Sequence, residues 1–195
     1  GWYFSKETAA SAAATITDVT VTSTTFDGNA QKGIYAEKLD HAVFDGITVA
    51  GSGTDPAYGF NDGIDINLKW GSYADIEIRN STVTGSGLAG SATNLLFPAG
   101  IAIKARDDAG YATPGATLDG VTLSNVTVAG GVVAVRFGDE PAQEVRLLDE
   151  RRRVGAQHHL QVPGRHGVVL LHLEPAELLR HRIGRVVAVA VADHR

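Results

Sequence analysis

The chain has 195 residues, enough for one domain with a sizeable core, and it contains neither cysteine nor methionine. The lack of cysteine excludes a disulfide framework and thiolate metal sites. No apolar run approaches the roughly 20 residues of a membrane helix, and a net charge of −5 argues against nucleic acid or a membrane as partner. Without an initiator methionine, the chain is expected to start inside a longer protein.

The first 14 residues lack the repeated pattern of the later chain. The aromatic residues Trp2, Tyr3 and Phe4 are predicted to cover the open end of a core, and residues 8–14 are predicted to form a short helix.

A strand pattern begins near Ile16 and occurs four times. Each copy reads apolar, any residue, apolar, four further residues, apolar, any residue, glycine. The glycines are 23, 34 and 45 residues apart, because insertions at 52–61, 86–98 and 107–115 lengthen the later repeats. The closing glycines of the four copies are Gly28, Gly51, Gly85 and Gly130.

A second strand type alternates with the first. Its copies begin with Gly33-Ile34, Gly63-Ile64, Gly100-Ile101 and Gly131-Val132, and apolar and polar residues then alternate with period two. This alternation predicts strands with one buried and one solvent-exposed face, stacked in parallel repeat upon repeat. The residues predicted to face inward are Val19, Val21, Phe26, Phe44, Val49, Ile64, Ile66, Ile76, Ile78, Val83, Ile101, Ile103, Val121, Leu123 and Val128.

Asparagines near the strand ends, at Asn29, Asn80 and Asn125, suit corners between strands because asparagine tolerates a left-handed backbone. With these repeats, residues 16–138 resemble the right-handed parallel β-helix proteins of the pectate-lyase-like superfamily. The resemblance implies an all-β solenoid of about four coils in a secreted or cell-surface protein, with an acidic polysaccharide as partner. That scaffold also carries hydrolases, epimerases and adhesins, so it does not fix the activity.

If the Gly-Ile strands stack in register, their outward residues form columns about 4.8 Å apart per repeat. Three columns follow from the sequence: Tyr35, Asp65, Ala102; Glu37, Asn67, Lys104; and Leu39, Lys69, Arg106. Acids and cations on one face, with Asp62 at the start of a strand and insertions beside it, predict a groove for a charged sugar. The alternative is a solvated ladder of opposite charges.

The segment Asn61-Asp62-Gly63-Ile64-Asp65 resembles a stretch of polygalacturonase-type hydrolases, which implies a catalytic role for Asp62. Those hydrolases carry an aspartate pair before the next strand, where this chain has Phe97-Pro98-Ala99. An inverting glycosidase needs a separate acid and base. A lyase is therefore favoured over a hydrolase if the protein is an enzyme.

For a lyase, cations neutralise the sugar carboxylate and a basic side chain removes a proton. The predicted catalytic residues are Lys104, Arg106, Lys69 and Asp62, and the predicted substrate-binding residues are Tyr35, Glu37, Asp65 and Asn67. Calcium is a candidate cofactor, with Asp62, Asp65 and Asp107 as its carboxylate ligands. The alternative function is a non-catalytic structural or adhesive repeat segment.

Composition changes sharply at residue 140. Residues 1–140 carry 16 acidic and 8 basic side chains, whereas residues 141–195 carry 9 arginines, 6 acidic residues and six of the seven histidines. This tail lacks Ser, Thr, Asn, Lys and all three aromatic residue types. It has the composition of an out-of-frame translation of a GC-rich gene; the alternative is a poorly packed cap with helices at 142–154 and 174–182. Two regions are therefore predicted, 1–140 and 141–195.

Overall fold

The computed structural model describes residues 1–4, 15–88, 98–131, 133–138 and 186–189. Apart from a 3₁₀ turn at Ala109–Tyr111, the regular structure in these ranges is strand, which confirms the all-β class. In chain order the strands are β1 (Trp2–Phe4), β2 (Ile16–Thr17), β3 (Thr20–Thr22), β4 (Thr25–Asp27), β5 (Lys32–Ala36), β6 (Leu39–Asp40), β7 (Ala42–Asp45), β8 (Thr48–Ala50), β9 (Asp62–Leu68), β10 (Ser72–Thr84), β11 (Ala99–Ala105), β12 (Thr117–Ala129), β13 (Val133–Phe137) and β14 (Val186–Val189).

All the strand pairs in the described ranges are parallel. A five-stranded sheet has the order β1-β5-β9-β11-β13. A seven-stranded sheet has the order β14-β12-β10-β7-β3, with β8 also paired to β10 and β4 to β8, and β2 pairs with β6. The chain thus leaves each sheet and returns to it one strand further along, an arrangement compatible with a β-helix-like solenoid.

The strands stack in the register that the sequence predicts. All the residues predicted to face inward either belong to the buried core or pack against it. The repeated apolar positions of the seven-stranded sheet form two columns, Val21–Phe44–Ile78–Leu123 and Phe26–Val49–Val83–Val128.

The glycine at the second position of β5, β9 and β11 faces a valine of the other sheet. A Cβ added at Gly33 would lie 2.6 Å from Cγ1 of Val49, and one added at Gly63 would lie 2.8 Å from Cγ1 of Val83. These distances are too short for any side chain, so the positions require glycine. The two repeated sequence patterns therefore occur together because a valine of one sheet fills the space beside a glycine of the other.

The seven-stranded sheet bends at residues with positive φ that are five residues apart. In the third repeat these are Asp75, Asn80 and Gly85, with φ of 51°, 49° and 54°. Aspartate, asparagine and glycine tolerate this backbone better than other residues. Nδ2 of Asn125 donates a hydrogen bond of 2.9 Å to Oδ1 of Asn80, so two of the three predicted corner asparagines stack. At the third corner the left-handed backbone belongs to Gly28, one residue before Asn29. Equivalent corners are Asp18, Ser23, Gly28, His41, Gly46, Gly51, Gly120, Asn125 and Gly130.

The outer face of the five-stranded sheet is buried along β9 and β11, and the prediction of a solvent-exposed face is wrong there. All the residues of β9 and of β11 are buried. Asp65 has no exposed surface, and only 3% of the surface of Lys104 is exposed. Because a charged side chain is rarely buried without a partner of opposite charge, the pairing of these groups becomes the central feature of this face.

Two further placements depart from the prediction. Leu39 was predicted to point outward, but it is fully buried and lies opposite Ile16 in the pair β2–β6. The N-terminal aromatic residues cover the core as a strand: β1 adds to the sheet with Trp2 opposite Ile34, while Tyr3 stays 66% exposed.

The predicted helices at 8–14, 142–154 and 174–182 lie outside the described residues. Within the tail, β14 pairs with β12, with Val186 opposite Val121. The part of the chain that the structure describes contains no helix with the length and apolar character needed to cross a membrane.

Candidate functional site

Seven charged side chains come together on the outer face of the five-stranded sheet. We call them the charged cluster: Lys32, Glu37, Asp62, Asp65, Lys69, Lys104 and Arg136. The strand register positions them, because Tyr35, Asp65, Ala102 and Arg136 lie side by side in one column. The predicted column of the first three residues is therefore confirmed, and Arg136 extends it by one strand.

Asp65 joins three neighbouring strands. Its Oδ2 lies 2.7 Å from Nζ of Lys32 on β5, and its Oδ1 lies 3.0 Å from Nζ of Lys104 on β11. Burial alone would raise the pKa of Asp65, but the charges of Lys104 and Lys32 outweigh it and lower the pKa to about 2. The carboxylate is therefore ionised and held between two ammonium groups.

Asp62 lies in a different electrostatic environment on the same strand. Its Oδ1 accepts a hydrogen bond of 2.9 Å from the backbone N–H of Ala99 and lies 3.5 Å from Nη2 of Arg136. Its Oδ2 is buried and has no hydrogen-bond partner among the described residues. Burial, and next the charge of Asp65, raise the pKa of Asp62 to about 6. Asp62 therefore takes up a proton at a far higher pH than Asp65 does.

Glu37 is the centre of the other half of the cluster. The hydroxyl of Tyr35 donates a hydrogen bond of 2.5 Å to its Oε1, and Nζ of Lys69 contacts the same oxygen. Nδ2 of Asn67 in turn donates to the Tyr35 hydroxyl oxygen at 3.0 Å. Burial, followed by the bond to Glu37, raises the pKa of Tyr35, so its hydroxyl remains a donor.

The insertion at 107–115 closes one end of this face. The ring centroid of Tyr111 lies 4.7 Å from Nζ of Lys69 and 4.7 Å from the guanidinium of Arg106. The Trp70 ring packs at 5.0 Å from the same ring, and its Nε1 donates to the carbonyl of Gly110 at 3.2 Å. The aromatic rings thus contact two cations and fix the insertion against the sheet.

Seven of the eight residues predicted for catalysis or substrate binding lie together on this face: Tyr35, Glu37, Asp62, Asp65, Asn67, Lys69 and Lys104. Arg106, the eighth, lies at the edge, where its Nε and Nη2 donate to the carboxylate of Asp108 at 2.6 and 2.7 Å. Asp107 forms no metal-binding group with Asp62 and Asp65, since no such group of three carboxylates or imidazoles occurs within the described ranges. The calcium prediction itself stays a prediction.

Lys32 and Arg136 belong to the cluster but were not predicted. The sequence columns began after each glycine, whereas Lys32 and Asp62 both precede one and lie opposite each other. Arg136 could have been predicted by continuing the column of Asp65 and Ala102 into the fourth Gly-Ile-type strand, which begins at Gly131.

A groove of about 500 Å³ lies elsewhere, on the outer face of the seven-stranded sheet. Its lining includes His41, Asp75, Glu77 and Asp119, and none of the predicted site residues. Nδ1 of His41 is 3.1 Å from Oδ2 of Asp75, and both side chains are largely in solvent. This arrangement is typical of a solvated polar surface.

Comparison of the chain with protein-family models, with curated proteins and with solved structures found no match in any of the three. The assignment of a function therefore depends on the chemistry of the charged cluster.

Proposed function

We propose that the chain forms a right-handed parallel β-helix of about four coils, similar to the pectate-lyase-like proteins, in a secreted or cell-surface protein that binds acidic polysaccharide. The parallel register and the glycine–valine contacts between sheets support this fold. The charged cluster supports the ligand.

The observation that carries the proposal is the sign of the cluster. Among the residues that the structure describes, it contains four cations and three carboxylates, on a chain whose net charge is −5. Protonation of Asp62, whose pKa is about 6, raises the positive excess further. A positive region inside an acidic protein attracts an anionic ligand, and the carboxylates of a uronic-acid oligomer have the matching charge.

Binding is favoured over lyase catalysis. Lys104 and Lys32 are paired with Asp65, and Lys69 is paired with Glu37. These contacts hold the three amines against carboxylates of the protein, whereas a catalytic base has to lie within hydrogen-bond reach of the substrate proton that it removes.

A structural or adhesive role is the second candidate, and one observation favours it. Each carboxylate of the cluster contacts a cation from another repeat. Asp65 contacts Lys32 and Lys104 on the two neighbouring strands. Asp62 contacts Arg136 two strands away, and Glu37 contacts Lys69. In this second candidate, the only role of the ion pairs is to hold the strands together, and the face has no affinity for sugars.

The test is calorimetric titration of a uronic-acid oligomer, with a neutral oligomer of the same ring size as control. The variant Lys104→Gln with Arg136→Gln removes two cations, and Arg79→Gln on the other sheet is the matched control. Lys32 still pairs with Asp65 in the double variant, and a circular dichroism spectrum checks its fold.

We expect the wild type and Arg79→Gln to bind the acidic oligomer. The double variant loses two cationic contacts, which should weaken the binding free energy by at least about 1.4 kcal/mol, a factor of ten in affinity. The same titration in the presence of calcium and in the presence of a chelator tests whether oligomer binding depends on calcium. Ultraviolet absorbance of an unsaturated uronate product would reveal lyase activity. No binding by the wild type would leave only the structural role, and equal binding by the double variant would exclude the charged cluster as the binding site.

A further inference from the structure

The loop that precedes β9 presents two aromatic side chains to solvent. Tyr58 is 43% exposed and Phe60 is 51% exposed, both within the insertion at 52–61. Leu88, which is 50% exposed, lies next to the base of this loop, because its backbone N–H donates to the carbonyl of Gly53 at 3.1 Å. Exposed aromatic rings grouped on a protein surface are typical of interaction sites.

Hydrogen bonds inside the loop hold its backbone in place. Asn61 is fully buried, and its Nδ2 donates to the carbonyl of Asp55 at 2.7 Å and to that of Tyr58 at 3.0 Å. The backbone N–H of Ala57 donates to Oδ1 of Asp55 at 2.8 Å. A loop that is ordered before binding loses little conformational entropy when a ligand contacts it.

The loop is also anchored to the preceding repeat. The backbone N–H of Gly53 donates to the carbonyl of Asn29 at 2.8 Å, and that of Thr54 donates to the carbonyl of Ala30 at 3.1 Å. The start of the insertion is therefore hydrogen-bonded to the preceding repeat, and its last residue is followed directly by β9.

The loop lies beside the charged cluster. Phe60 is two residues before Asp62, so their Cα atoms are at most about 7 Å apart. Asp62 contacts Arg136, and Lys32 lies opposite Asp62 on the neighbouring strand, so two cations of the cluster are close to this end of the loop. An apolar ring next to cations matches one class of ligand in particular: a sugar acid, which has an apolar ring face and a carboxylate.

We propose that Tyr58 and Phe60 are a stacking platform for the sugar rings of a uronic-acid oligomer whose carboxylates reach the charged cluster. This inference rests on the proposed function and adds to it the residues that contact the rings. Aromatic side chains contribute contact area with few rotatable bonds, and a hydroxyl such as that of Tyr58 can also bind water or sugar.

The experiment compares two double variants in the same calorimetric titration. Tyr58→Leu with Phe60→Leu keeps apolar side chains but removes both rings. Tyr58→Phe with Phe60→Tyr keeps both rings and exchanges the hydroxyl. Because all four substitutions are at exposed positions, thermal unfolding should remain close to that of the wild type, and it serves as the control for folding.

We expect the leucine variant to bind the uronic-acid oligomer about tenfold more weakly, and the exchanged variant to bind within about twofold of the wild type. Equal affinity of the leucine variant and the wild type would overturn the platform and leave the proposed function intact. Equal weakening of both double variants would point to the loop shape rather than to stacking and would also overturn it.

The cation variant separates this inference from the proposed function. If Lys104→Gln with Arg136→Gln binds like the wild type while the leucine variant is weakened, the platform stands and the role of the cluster fails. If the wild type binds no oligomer, both proposals fail.

Discussion

The outer faces of the two large sheets carry the same kind of ion pair in two different environments. On the seven-stranded sheet, Asp45 and Arg79 lie 2.9 Å apart across neighbouring strands, with side chains 29% and 41% exposed. On the five-stranded sheet, Asp65 and Lys104 lie 3.0 Å apart across neighbouring strands, with side chains 0% and 3% exposed. The two ion pairs have similar distances but differ in burial. Breaking the buried Asp65–Lys104 pair should therefore destabilise the fold far more than breaking the exposed Asp45–Arg79 pair.

The difference in burial also separates the proposed functions of the two faces. The exposed face carries charges that water and salt screen, as in any solvated surface. The buried face holds its charges in fixed positions at low dielectric, where water and salt screen them less. A fixed, net positive face is suited to binding an anion.

The largest expected effect lies on the inward side, where the two sheets do not differ. Ile66 of the five-stranded sheet and Ile78 of the seven-stranded sheet are both fully buried among apolar residues. Replacing either with aspartate places an unpaired charge in a dry core and should cost more than about 4 kcal/mol. Circular dichroism during urea denaturation measures this. A wild-type midpoint for Ile66→Asp would mean that the assigned register is wrong.

The second expected effect distinguishes the outer faces directly. Asp65→Asn removes the carboxylate that contacts buried Lys104 and Lys32, whose side chain is 15% exposed, which should destabilise the fold by about 3–5 kcal/mol. Asp45→Asn removes an equivalent pair at an exposed position, and its unfolding free energy should stay close to that of the wild type. Similar losses of stability in the two variants would contradict the distinction between a buried and a solvated pair.

A smaller effect concerns the dependence of stability on pH. Because the pKa of Asp62 rises from 3.8 in the unfolded chain to about 6 in the fold, the folded state binds this proton more tightly. The resulting stabilisation is complete below about pH 4 and is lost as the pH rises through about 6. Asp62→Asn keeps an oxygen for the Ala99 N–H and cannot ionise.

Asp62→Asn should therefore be more stable than the wild type above pH 6, by about 3 kcal/mol, and the two should converge near pH 4. Urea denaturation at several pH values between these limits measures the difference. Carboxylates remote from Asp62 are present in both proteins and cancel in the comparison. Asp65 interacts with Asp62, but its pKa of about 2 lies below the pH range of the measurement. A constant difference at every pH would exclude titration of Asp62 as its cause.

The sequence predicts the inward positions and the strand register, because both depend on a local period of two and on a repeat of glycine and valine. Ile64 and Ile101 are opposite each other as their common motif requires. The repeat also predicts the column of Tyr35 and Asp65, and hence most of the candidate site.

The burial of the outer face does not follow from the sequence, since alternation of apolar and polar residues distinguishes two faces but not their exposure. Leu39 shows a second limit: it continues the alternation of the preceding strand, but the chain has already turned, and its side chain enters the core. Lys32 was missed because the strand begins one residue before the glycine.

The central claim, that the charged face and not the solvated one binds anionic sugar, is tested most directly by NMR of the arginine Nε–H groups. Arg136 reports on the five-stranded sheet and Arg79 on the seven-stranded sheet, and each signal is assigned by its loss in the corresponding Arg→Gln variant. Addition of the uronic-acid oligomer should shift the Arg136 signal in a saturable manner and leave the Arg79 signal in place. A shift of Arg79 alone, or no shift of either signal at saturating oligomer, would contradict the claim.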